Sequence, residues 1–265
     1  MSEIPEPGNR ASFSHGLVVR GLSCRRGSYL ALDAVGLEVA PGEMVALFGH
    51  NGAGKSTLLE AIIGDVNCSD GLVTWGGVPL PTARSPASCL RLGIAYVPQG
   101  QAVFETMTVL ENLKLGADRG LGGIETISLQ ATLRQYPDLA RHASHPAGLL
   151  SGGMRQMLAL AMALRIHPKL LLLDEPASGL DKDETSKVDV RISQLKSMGV
   201  AILVVDHRVD TLAPVCDRVV VLPAGRVVGS CNGGPRAALT IRLWLQGSDG
   251  VGISSSYPDT QRGER

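Results

Sequence analysis

The chain has 265 residues, 44% of them hydrophobic, enough for one sizeable core with a smaller subdomain beside it. Lys plus Arg and Asp plus Glu each number 25, so the net charge is zero and no long-range field favours nucleic acid or an anionic membrane. The five cysteines (Cys24, Cys68, Cys89, Cys216, Cys231) are scattered, odd in number and without a C-x-x-C pair, and read as reduced thiols of a cytosolic protein.

The opening stretch, residues 1–16, is polar and carries Pro and Gly; lacking a charged region ahead of an apolar core, it reads as a tail, neither signal peptide nor anchor. Met44 to Phe48 follows as a strand, Ser56 to Gly64 as a helix with Leu58, Leu59, Ile62 and Ile63 on one side, and Ile94 to Val97 as a strand. From about 101 to 162 the pattern changes to helix after helix (TVLENLKLGA, ISLQATLRQY, GMRQMLALAMAL), a helical subdomain inserted into an α/β core. Leu170 to Leu173 is a buried strand, Asp183 to Met198 a helix, and Ala201 to Val205 another buried strand. Strands that are apolar throughout imply a parallel sheet covered on both faces. VVVLPAGRVVGS reads as two strands about a Pro/Gly turn, PRAALTIRLWLQ as a short helix, and 246–265 as a second polar tail. No apolar run approaches the roughly 18 residues of a membrane span.

Two motifs carry chemistry. Gly49, His50, Asn51, Gly52, Ala53, Gly54, Lys55 and Ser56, followed by Thr57, match G-x-x-x-x-G-K-[ST] between a strand and a helix, where backbone N–H groups and the helix N-terminus cradle phosphates. There Lys55 reaches the β and γ phosphates of ATP and the Ser56 hydroxyl ligates Mg²⁺. LLLLDEP, 170–176, is an apolar strand ending in two acids at the carboxyl edge of a sheet, where such folds bind ligands. Asp174 is the candidate for holding Mg²⁺ through water, and Glu175 the candidate general base.

A second anion site is harder to place. Ser151, Gly152 and Gly153 in LSGGMRQ precede a helix, so their N–H groups and the helix dipole also favour an anion, yet they belong to the helical insertion. One ATP has one γ phosphate, and the P-loop leaves its other side open. A head-to-tail pair of chains, each covering the ATP of the other with its LSGG, accounts for both sites.

GHNGAGKST, YVPQ, LSGGMRQ, LLLLDEP, SGLD and the Asp206-His207 pair occur in the order and spacing of ABC-type ATPases, and the resemblance runs from about Leu17 to Arg226. It implies a P-loop NTPase core with a parallel sheet, an antiparallel β-subdomain and an inserted helical subdomain, together spanning 17–245. It also implies that Gln99 contacts Mg²⁺ and the attacking water, that His207 touches the γ phosphate and orients Glu175, and that Asp181 lies at the seam of a dimer closed around two ATP. The implied partners are a second ABC ATPase chain, transmembrane permease subunits and a solute-binding protein, with the chain peripheral at the cytoplasmic face of the membrane. The stretch from VPQGQAVFETMTVLENL to the acids is similar to the ATPase subunits of branched-chain amino-acid and urea uptake systems. Relatives place an aromatic before the glycine where this chain has Arg26; Tyr29, or Arg26 through its guanidinium plane, then stacks on adenine, or both lie on a solvated turn. Phe104, Met107 and Val109 are candidates for receiving a helix of a membrane subunit. Export, or an ABC ATPase outside transport, is the alternative; neutral charge and the lack of a basic tract count against nucleic acid.

Overall fold

The computed structural model describes residues 16–100, 102–115 and 126–247. Apart from Gly16, Gln246 and Gly247, the two expected tails lie outside the described residues, as do Gln101 and 116–125 of the expected helical insertion.

Alternating burial makes a hairpin of β1 (Leu17–Arg26) and β2 (Tyr29–Val39), with Leu17, Val19, Leu22 and Cys24 turned inward. β3 (Met44–Phe48) leads into α1 (Lys55–Ile63), and β4 (Cys68–Trp75) and β5 (Val78–Pro79) complete an antiparallel sheet of order β2-β1-β4-β5. There follow α2 (Pro86–Arg91), β6 (Ile94–Val97), α3 (Val109–Lys114), α4 (Leu129–Gln135), α5 (Pro137–Arg141) and α6 (Gly152–Leu164). The chain continues through β7 (Leu170–Asp174), α7 (Lys182–Ser197), β8 (Ala201–Val205), α8 (Val209–Leu212), β9 (Arg218–Val221), β10 (Gly229–Asn232) and α9 (Ala237–Leu245).

The second sheet has the order β10-β9-β3-β8-β7-β6, parallel except for the antiparallel edge strand β10. Every residue of β3, β7 and β8 is buried, and the strand period of two divides them between two cores. Met44, Ala46, Leu171, Leu173, Ile202 and Val204 pack with Leu158 and Leu160 of α6 and Val188 and Ile192 of α7. Val45, Leu47, Leu170, Leu172, Leu203 and Val205 pack on the other side with Leu58, Leu59 and Ile62 of α1 and with Val19 and Leu37 of the antiparallel sheet.

The described part of 101–162 is helical as expected, its one bridge joining Thr108 to Pro146. Buried Arg165, just past α6, donates from Nε and a terminal nitrogen to the Ile127 carbonyl at 3.2 Å each and from the other terminal nitrogen to that of Leu113. One guanidinium thus ties α6, α3 and the strand of chain entering α4, using the fork geometry that Arg alone offers.

The expectation of reduced thiols fails at one pair. Cys24 and Cys68 form a disulfide, because the antiparallel register of β1 and β4 sets them opposite each other with Cα atoms 4.1 Å apart. Partners 44 residues apart leave no local spacing signal. Cys89, Cys216 and Cys231 are free.

Candidate nucleotide-binding site

β3 delivers the chain into the loop 49–54, which turns back to start α1. Gly54 has φ 98°, and a Cβ there would lie 2.4 Å from the Ala31 carbonyl oxygen, so only glycine closes this turn. No side chain caps α1, which leaves its first N–H groups and the dipole's positive end for an anion. Lys55 is only 6% exposed, and its Nζ donates to the carbonyls of Gly49 (3.0 Å) and His50 (2.9 Å), arching back over the loop mouth. His50 Nε2 donates to the Leu245 carbonyl at 2.9 Å, which anchors α9 against the loop.

Register brings the acids to the same edge. β3, β6, β7 and β8 run parallel, with Val97 opposite Leu173, Asp174 opposite Val205 and Leu47 opposite Val205, so their carboxyl ends align. Asp174 is buried, with the hydroxyls of Ser56 and Tyr96 near its carboxylate. Burial pushes its carboxyl above the usual range; the Glu175 charge adds to this, while Ser56, Lys55 and Tyr96 oppose it. Burial, with the nearby Asp174 charge second, likewise raises the Tyr96 phenol. Asp174 Oδ1 is buried with no hydrogen-bond partner, so its lone pairs are free for a cation. Carboxylate, hydroxyl and amide oxygens from Asp174, Ser56 and Gln99 are hard donors, and the set fits Mg²⁺.

Glu175 adopts φ 43°, a left-handed backbone that costs a residue with a Cβ about 1–3 kcal/mol, and its N–H is held by the Val205 carbonyl at 2.8 Å. Its Oε2 accepts from Gln99 Nε2 at 2.9 Å and lies 3.7 Å from His207 Nδ1. Gln99 and His207, carried over by resemblance, thus meet at one carboxylate oxygen of Glu175, the candidate base read from the strand end.

His207 is itself positioned by a buried network. Asp206 Oδ1 accepts the N–H groups of His207 (2.7 Å) and Arg208 (2.9 Å), and the Arg208 guanidinium bridges Asp206 to Asp189 on α7 with contacts of 2.8–3.2 Å. Arg208→Met is expected to destabilise the fold by about 3–5 kcal/mol, because it strands the 1%-exposed carboxylate of Asp206. Urea denaturation monitored by circular dichroism measures this; an unchanged midpoint would contradict it.

Ser151, Gly152 and Gly153 stand at the start of α6, where Ser151 Oγ accepts the Met154 N–H at 3.2 Å as N-cap. The hydrogen bonds described for Ser151 run to Met154 and to Glu184, not to the P-loop. Asp181 caps α7, its Oδ1 accepting the Glu184 N–H at 2.8 Å. At the hairpin tip Tyr29 pairs with Arg26 and is 58% exposed. The Arg26 Nε donates to Thr57 Oγ1 at 3.1 Å and its guanidinium is ion-paired with Glu60, both on α1. Among the docking candidates Val109 belongs to the core, Met107 is half-buried and Phe104 is exposed; buried Asn112 holds that loop through the Phe104 N–H and the carbonyls of Phe104, Met107 and Thr108.

Sequence reasoning passed over Tyr96, Arg208, Asp189 and Glu184. Tyr96 had a usable signal, since it opens YVPQ, a polar-tipped side chain in an apolar strand three residues ahead of Gln99. The others act across gaps in sequence that no local pattern marks.

A phosphate-cradling loop, two acids, a glutamine and a histidine at one edge of a parallel sheet define a P-loop nucleoside triphosphatase. A family model described as ABC transporter matches residues 32–178, more than half of the chain. The high-affinity branched-chain amino acid transport ATP-binding protein of Pseudomonas aeruginosa is 38% identical over 202 residues, covering 76% of this chain and 86% of that protein. The xylose import ATP-binding protein of Burkholderia cenocepacia is 35% identical over 251 residues, and the chain spans 47% of its length. Of solved structures, an ATP binding subunit of an ABC transporter superimposes with TM-score 0.71 at 32% identity, covering 87% of this chain and 94% of the other. A dimeric post-hydrolysis ATP-binding cassette bound to ADP and Pi gives 0.71 at 25% identity over 82% of this chain and 98% of that one. The chain belongs to the ABC transporter family, and its activity is that of an ABC-type ATP hydrolase.

Proposed function

We propose that this chain is the ATP-hydrolysing subunit of a membrane transporter, acting as one half of a head-to-tail pair that encloses two ATP. The observation that carries the reading is the division of anion sites: the P-loop, Asp174, Glu175, Gln99 and His207 gather at the sheet edge, while Ser151 to Gly153 begin α6, where the hydrogen bonds described for Ser151 run to Met154 and Glu184. A second chain supplies what each site lacks, and ATP favours association by mass action.

In this reading the loop N–H groups and Lys55 bind the β and γ phosphates, and Ser56, Asp174 and Gln99 hold Mg²⁺. When bound, the metal supplies positive charge against the phosphate oxygens. Gln99 and His207 orient Glu175, which takes a proton from water as the water oxygen bonds to the γ phosphorus. The bond from that phosphorus to the β-γ bridging oxygen breaks, leaving ADP and phosphate. Exposed Phe104, five residues past Gln99, is the anchor toward a transmembrane subunit.

The cargo we assign is a small polar solute, with an amino acid first. The branched-chain amino acid relative aligns over 86% of its length as one cassette, whereas the xylose relative is about twice as long as the match. Reconstitution with the transmembrane subunits of a branched-chain amino acid uptake system tests this. Phosphate release is expected to rise with branched-chain amino acids in the presence of the cognate binding protein; a rise with pentoses alone would overturn the cargo, and insensitivity to the transmembrane subunits would overturn the role.

A further inference from the structure

Ser151 has a competitor inside its own chain. Its hydroxyl accepts the Met154 N–H and donates its proton to Glu184 Oε1 at 2.8 Å. A serine hydroxyl has one proton to give, so in this state none is left for a phosphate oxygen. The Glu184 carboxylate also covers the neighbouring glycine: a Cβ on Gly153 would come within 2.6–2.7 Å of Glu184 Cδ, Cγ and Oε1. α6 is 13 residues long, and a carboxylate at its N-terminus is stabilised by the free N–H groups and the dipole, as an incoming phosphate would be. Glu184 is in turn held at the start of α7, where its N–H bonds to Asp181 Oδ1 at 2.8 Å.

We propose that Glu184 is an internal stand-in for the γ phosphate: in the separate chain its carboxylate occupies the Ser151–Gly153 anion site, and it must leave before a partner's ATP can be received there. The inference rests on the shared-site reading above. It makes Glu184 a gate on association with no part in the chemical step. Proton and charge point the same way, since the seated carboxylate takes the only Ser151 proton and repels the phosphate. The Glu184 backbone is pinned to Asp181 at the start of α7, so the carboxylate can leave by side-chain rotation alone, next to the expected dimer seam.

The test uses the full chain carrying Glu175→Gln, with Mg-ATP as ligand and sedimentation velocity as readout. Adding Glu184→Ala is expected to lower the dimer dissociation constant about fivefold or more, and Glu184→Gln, which keeps an acceptor without the charge, by less. Ser151→Ala should cancel the gain, because no hydroxyl is then left to release. In the Glu175 wild-type background Glu184→Ala should lower the protein concentration giving half-maximal turnover while kcat per dimer is unchanged, a split that a merely structural role would not give. Unchanged or weaker association in both Glu184 variants, with the Glu175→Gln dimer forming normally, overturns the inference. Absence of any ATP-driven dimer in Glu175→Gln overturns the shared-site reading and this inference with it.

Discussion

Glu175→Gln is expected to remove turnover while leaving ATP bound. The amide keeps the size of the carboxylate and can still meet Gln99 and His207, which lie 2.9 and 3.7 Å from Oε2, but it cannot take a proton from water. Loss of a positioned general base lowers kcat by about 10²- to 10⁴-fold. The P-loop, Lys55 and Asp174 are untouched, so affinity for Mg-ATP should change little and the ATP-bound dimer should persist. The strained φ of 43° at this position supports the assignment, because a non-glycine residue is kept in that region where surrounding structure enforces it. Near-normal steady-state phosphate release would remove Glu175 from the role of base.

Lys55→Ala is expected to act earlier, at binding. In the free loop the ammonium is engaged by the carbonyls of Gly49 and His50, which hold it 94% buried at the mouth with its charge oriented toward incoming phosphate. A charge-assisted contact to phosphate contributes about 1.5–3 kcal/mol, so affinity for Mg-ATP should fall roughly 10- to 100-fold by titration calorimetry. The variant also leaves two loop carbonyls without their donor, which loosens the cradle itself. Unchanged affinity would mean that the backbone N–H groups alone hold the nucleotide.

What was legible in the sequence was whatever depends on strand ends. An apolar run that stops at Asp174-Glu175, or at Phe48 before the glycines, states both its burial and the edge to which it delivers chemistry. The helical character of the insertion was equally plain from its period, and β10, the antiparallel edge strand, fell where two strands about a turn were expected. Contacts that depend on how separate elements meet were not legible. Cys24 meets Cys68 through strand register, Ser151 meets Glu184 across 33 residues, and Arg208 joins Asp189 to Asp206 between α7 and the end of β8. Val109 shows the limit of composition: an apolar residue beside an exposed loop was a candidate for docking, and its helix period turns it into the core instead, leaving Phe104 exposed.

The central claim is that each active site is built from two chains. Lys55→Ala spoils the P-loop half and Ser151→Arg the α6 half, so each variant alone should be inert, with both of its sites defective. Mixed dimers hold one site spoiled twice and one site intact, composed of the P-loop of one chain and the Ser151–Gly153 segment of the other. Equimolar mixing, with mixed dimers counted by native mass spectrometry, should restore roughly a quarter of wild-type phosphate release, since about half the dimers are mixed and each has one working site of two. Restored release at that level is the result the shared site predicts; no release from verified mixed dimers would contradict it.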